Sequence, residues 1–156
     1  METYDPDLAP EAAAWLALDE QLRITYALTA HRDRFPDALH NADANEIMHG
    51  SLHAIIETQI ASASPEVTGL TIQRLIGEGL MRHAAIHAVM IILAEQLVAL
   101  SQGDSRFDEV AWAKKLEQLS AADALGRALQ SPRIAQGPET MNRAQRRASK
   151  KKKSDR

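Results

Sequence analysis

Apolar positions along this chain recur at the three- and four-residue steps of a helix, and no run alternates as a half-buried strand does. Residues 10–31 start behind Pro10 as a first-turn proline and place Trp15, Leu18, Leu22, Thr25 or Tyr26, and Thr29 on one face. HRDRFPDALHNAD then breaks the pattern at Pro36 and at Asn41 to Asp43. Residues 44–61 predict a second helix, its stripe made of Met48, Leu52, Ile55, Ile56 and Ile60. Ser64-Pro65-Glu66 reads as the start of a third, with Ser64 as N-cap and Pro65 at the first helical position. That helix runs to Gly77-Glu78-Gly79. Residues 81–101 form a fourth, apolar on more than one face and closed by Gly103. Residues 107–119 make a fifth, and Ser120 with Asp123 caps a short sixth over 121–130. The expected fold is all-α, a compact bundle of about five to six helices.

Composition agrees with the pattern. In 156 residues, aromatics are 4% and alanine and leucine are abundant, which favours helix over sheet. The absence of cysteine excludes disulfides and thiolate sites, so zinc ribbons and iron–sulfur clusters are ruled out. METYDPDLAPEAAAW is acidic and has no apolar core, unlike a signal peptide. The most apolar stretch, 84–100, still contains His87, Glu95 and Gln96 and falls short of a membrane span. The expectation is a cytoplasmic protein with no membrane partner.

Charge divides the chain in two. Residues 131–156 carry nine Lys or Arg against Glu139 and Asp155, a net +7. Residues 1–130 carry nine basic against nineteen acidic residues, a net −10, and together they give the overall −3. An acidic helical domain, 1–130, is therefore expected to precede a basic, disordered tail, 131–156, which has too little apolar surface to offset its ordering entropy. Arg143, Arg146, Arg147, Lys150, Lys151, Lys152 and Lys153 in that tail suit phosphate contact with RNA or another polyanion. Without aromatic residues for stacking, base-specific readout is not expected, and a purely solubilising role is the alternative.

The chemistry is carried by histidine. Four of the six histidines form two pairs at four-residue spacing, His49 with His53 and His83 with His87, and Glu57 extends the first series. Residues four apart on a helix share a face, with Cβ atoms about 5–6 Å apart, which lets two imidazoles close on one ion. Eight residues rise about 12 Å, so His49 and Glu57 cannot both reach the same ion. His83, His87, Met90, Ala94 and Leu97 descend the fourth helix in heptad-like steps, which puts both histidines in its apolar stripe. If the second and fourth helices pack together, four imidazoles and Glu57 converge as the metal sites of helical bundles do. The alternative is a set of core histidines, each hydrogen-bonded to a carbonyl or carboxylate. His31 is read as a helix C-terminal dipole partner before it is read as a further ligand. His40 falls in a loop without a pattern. Gln59 and Glu95 are expected to support the ligands, with an inter-helix polar contact as the alternative for Glu95 together with Gln96.

RHAAIH keeps the spacing of a zinc-peptidase helix, but Ala84 stands where that motif places its general base. No phosphate-binding glycine loop, nucleophile elbow or dinucleotide fingerprint is present. YDPDLAPEAAAWLALDEQLRI, LHAIIETQIA and EGLMRHAAIHAVMIILAEQL together resemble a bacterial family known as a domain of unknown function. The resemblance covers roughly residues 4–100 and rests on a histidine pair leading into an E-x-Q segment, then R-H-x-A-I-H. It implies that His49, His53, Glu57, Gln59, His83 and His87 occupy motif positions. Family members often carry an acidic residue where Ala84 stands here, so a catalytic role at that position is weakened.

Two readings follow. The first is a centre for Zn, Fe or Ni built from His53, His83 and His87, with His49 or Glu57 completing the shell. An open position on such a centre would activate water or O₂, and whether the protein is an enzyme stays open. The second is an interaction protein with structural histidines and a polyanion-binding tail. A homo-oligomer is a further expectation, because the fourth helix is apolar beyond one face.

Overall fold

The computed structural model describes residues 3–34, 43–103 and 106–130. Among them the fold is all-α, with α1 (Ala12–Leu16), α2 (Glu20–Arg34), α3 (Asp43–Ser62), α4 (Glu66–Gly77), α5 (Arg82–Ser101), α6 (Glu109–Gln118) and α7 (Ala121–Gln130). The chain separates into two units, Met1–Ala124 and Leu125–Arg156, and the histidine cluster lies in the first. The tail residues Arg143, Arg146, Arg147 and Lys150 to Lys153, and the loop histidine His40, lie outside the described residues.

The expected first helix is two helices. Asp19 begins a new one: its carboxylate accepts the Leu22 backbone N–H at 2.7 Å, an N-cap contact. Arg23 folds back to donate to the carbonyls of Trp15 and Leu16, at 3.1 and 2.8 Å, which satisfies the end of α1. Trp15 is fully buried and donates its indole N–H to Thr58 on α3 at 3.1 Å. At the N-terminus of α1 the cap is Glu11, whose carboxylate accepts the N–H groups of Ala13 and Ala14.

The buried face of α2 also differs from the expected stripe. Leu22, Thr25 and Thr29 are exposed, and the two threonines bond back to Gln21 and Thr25 carbonyls one turn earlier. Ala27, Ala30 and His31 are buried instead. Small residues serve here because α2 and α3 approach closely. A Cβ on Gly50 of α3 would lie 2.6 Å from Leu28 Cγ and 3.3 Å from the Ile24 carbonyl oxygen, so only glycine fits without displacement.

Helix α3 packs against α1, α2, α4 and α5, which explains why its buried positions do not form a single stripe. Met48 and Ile55 are exposed, while Leu52, His53, Ala54, Ile56 and Glu57 are buried. Leu52 and Ile56 join the larger core with Leu75, Ile86, Val89 and Trp112; Ala54 joins a smaller one with Tyr4, Trp15, Ala27 and Ala30. His53 and Glu57 lie on α3 between these contributions.

The start of α4 corrects a second reading. Ser64 is exposed and not the cap; Pro65 holds the N-cap position without a side-chain bond, and Glu66 begins the helix. Ser64 N–H donates instead to the Gln59 carbonyl, completing the end of α3 through Ala63 at φ 50°. Gly79, at φ +105°, ends α4 in the left-handed region, with Leu80 N–H donating back to the Leu75 carbonyl at 3.1 Å. Helix α5 is long and apolar enough to cross a membrane, yet it packs against α3, α4 and α6 as the centre of the larger core. Ile91, Leu97 and Val98 on it stay partly exposed. Asp108 caps α6 through the Ala111 N–H, and α7 starts where the Ser120 pattern places it.

Candidate metal centre

Three helices bring five imidazoles together. His31 comes from the last turns of α2, His49 and His53 from α3, and His83 and His87 from α5. Four-residue spacing aligns each pair along its own helix. The close contact at Gly50 then brings α2 against α3, placing the His31 ring centroid 4.4 Å from His49 and 4.3 Å from His53. From α5, His87 lies 4.9 Å from His49 and 5.0 Å from His53, and His83 lies 4.8 Å from His31.

The nitrogens meet more closely than the rings. The Nε2 atoms of His31 and His83 are 2.8 Å apart, those of His53 and His87 3.0 Å, and those of His31 and His87 3.3 Å. One ligand atom from each of His31, His49, His53 and His87 falls within 4.8 Å of all the others. These four residues lie close enough together to bind a metal ion. Zinc–imidazole bonds of about 2.0–2.1 Å at tetrahedral angles put neighbouring nitrogens about 3.3 Å apart; the His31–His87 contact equals that edge and the His53–His87 contact is shorter.

Protonation suits ligation. His31 Nδ1 is 3.0 Å from the Ala27 carbonyl, so this nitrogen carries the proton and leaves Nε2 as a lone pair facing the cluster. Burial lowers the His31 pKa. Burial, with the neighbouring His31 and His83, pushes His49 down to about 4. Burial first, and then the surrounding imidazoles, hold His53 and His87 well below the usual histidine value. All four are therefore neutral near pH 7, the state in which imidazole binds metal. His31 and His53 are fully buried, whereas His49, His83 and His87 are half-buried.

No family model, curated protein or solved structure matches this chain.

The other residues singled out from the sequence are placed differently. Glu57 is fully buried but stands outside the group of converging ligands. Its carboxylate receives Arg82 in a two-point ion pair, at 2.7 and 2.6 Å, and the Tyr4 hydroxyl at 2.5 Å. Arg82 also donates to the Pro6 carbonyl at 2.9 Å. A guanidinium matched to both carboxylate oxygens is a stronger partner than an ion one turn away, which is why Glu57 faces the N-terminal segment. Gln59 accepts from the Thr68 hydroxyl at 2.7 Å, tying α3 to α4, and does not support a ligand. Glu95 pairs with Lys115 of α6 at 3.3 Å on the surface, an inter-helix contact far from a supporting role. Ala84 is exposed, so RHAAIH has no side chain at the general-base position that faces the cluster.

His31 is the cluster residue that periodicity ranked low. It sits on α2 without a histidine partner four residues away, and the stripe assigned to that helix left it on the wrong face. The overlooked signal is Ala27-Ala30-His31, a small-residue face that can press against the glycine of α3.

Proposed function

We propose that the protein binds one divalent transition-metal ion, with zinc, iron or nickel as the metal class, between α2, α3 and α5. His31, His49, His53 and His87 are the ligands, and His83 stands beside them to complete or exchange the shell. The observation that carries this reading is the buried His49 Nε2, which has no hydrogen-bond partner although its ring lies among the other imidazoles. Buried polar atoms ordinarily find partners. An ion supplies what this nitrogen lacks, and the 2.8–3.3 Å spacing of the neighbouring Nε2 atoms supports the same reading. A nitrogen-only shell favours borderline metals over magnesium or calcium.

The test is elemental analysis of protein purified without a histidine tag, after incubation with zinc, iron(II) or nickel and desalting. About one equivalent of metal is expected in the native chain, and much less in a His31→Ala, His53→Ala double variant. Less than about a tenth of an equivalent in the native chain, or equal loading of the double variant, would overturn the reading.

A further inference from the structure

Two contacts on the same pair of helices lie about one turn apart, and the inference drawn from them rests on the metal reading above. One is the approach of His53 on α3 to His87 on α5, with the Nε2 atoms 3.0 Å apart. The other is the ion pair of Glu57 with Arg82, closed at 2.7 and 2.6 Å through both carboxylate oxygens. Glu57 follows His53 by four residues, and Arg82 precedes His83 by one and His87 by five. Along a helix four residues rise about 6 Å and return to the same face. The ion pair therefore bears on both helices close to where their imidazoles meet. The core that Leu52 and Ile56 of α3 share with Ile86 and Val89 of α5 attracts without direction. A guanidinium set against both carboxylate oxygens fixes distance and angle together.

The N-terminal segment holds this pair in turn. The Tyr4 hydroxyl donates to the same carboxylate at 2.5 Å, and Arg82 donates to the Pro6 carbonyl at 2.9 Å. Tyr4 is buried against Trp15, with ring centroids 5.4 Å apart, and Trp15 donates to Thr58, the neighbour of Glu57. A metal shell needs its ligands held to within about 0.5 Å by neighbours whose own side chains are locked. We infer that the Arg82–Glu57 pair, steadied by Tyr4, positions the metal centre: it sets the register of α5 on α3, and with it the spacing of the His53 and His87 nitrogens. Glu57 and Arg82 are positioning residues, and neither touches the ion.

Cobalt(II) separates positioning from stability, because its visible band reports coordination geometry. The tag-free full chain is titrated with cobalt(II), and metal content, affinity and band are recorded. Arg82→Lys keeps the charge but cannot match both carboxylate oxygens. It should bind cobalt about tenfold or more weakly, with a shifted band. Leu116→Ala, a core truncation in α6, lowers stability without touching the clamp and should keep native affinity and band in its folded fraction. Arg82→Lys with native affinity and an unmoved band would overturn the inference and leave the metal reading standing. An equal loss in Leu116→Ala would assign the effect to stability and overturn the inference as well. Should Arg82→Lys not fold, Tyr4→Phe decides: it keeps the ion pair, loses the bond that steadies it and should weaken cobalt binding. Cobalt affinity and band unchanged in that variant would overturn the inference. Native protein that takes up no cobalt would instead sink the metal reading, and the positioning role with it.

Discussion

Removing Arg82 isolates the contribution of the clamp beside the histidines. Glu57 has no exposed side-chain surface and Arg82 only 10%, and their ion pair closes at 2.6 Å. Replacing Arg82 with methionine keeps much of the apolar stem but leaves the Glu57 carboxylate buried with the Tyr4 hydroxyl still donating to it. Breaking such a pair from one side costs about 3–5 kcal/mol, most of it the penalty of an uncompensated buried charge. For a chain of this size, about 2–4 °C of Tm is lost per kcal/mol, so a fall of roughly 6–20 °C is expected. Total stability is itself only about 5–15 kcal/mol, so Tyr4→Phe serves as a milder companion. It removes one hydrogen bond to a charged acceptor and should cost about 1.5–3 kcal/mol. The assay is urea denaturation followed by circular dichroism, with Glu57→Gln and the Glu57→Gln, Arg82→Met pair completing a double-mutant cycle. The double variant should recover much of the loss, because it removes the buried charge along with its partner. An Arg82→Met cost below about 1 kcal/mol at unchanged m-value, or additive effects in the cycle, would refute the buried-charge reasoning.

Three further outcomes are expected. In chelator-treated protein the histidines make stability depend on pH: His49 lies at about 4 and His53 and His87 well below the usual value. The unfolded chain therefore binds more protons, and the stabilisation present above about pH 6.5 is lost as pH falls, by up to about 1.4 kcal/mol per unit for a fully buried histidine such as His53. Urea midpoints that stay level or rise between pH 7.5 and 5 would contradict this sign. Gly50→Ala forces a Cβ against Leu28 and should cost about 1–3 kcal/mol while weakening metal binding, because α2 must shift and carry His31 with it. An alanine variant with native stability and native metal affinity would show that the helix contact does not set the site. If the basic tail contacts RNA, the association should weaken steeply with salt and be abolished by deleting residues 138–156. Equal binding by the truncated chain would remove the tail from consideration.

Much of the site was legible from spacing alone. His49 with His53, and His83 with His87, are neighbours on their helices by the geometry of 3.6 residues per turn, and two such pairs announce a common centre. Glu57 shows the limit of that reasoning. Its register with His53 is correct, but register says nothing about Arg82, which reaches it from another helix with a better-matched donor pair. Met48 and Ile55 failed as core positions for a related reason: α3 packs against four neighbours, and its burial follows their arrangement, not one stripe.

The sequence by itself determined the helical class, the positions of most helices and the pairing of histidines along two of them, because these depend on contacts within a few residues. The break at Asp19, the inclusion of His31 and the diversion of Glu57 to Arg82 were decided only by tertiary structure. Each depends on which surfaces of separate helices meet. The close approach of α2 and α3 at Gly50 brings the fifth imidazole into the cluster.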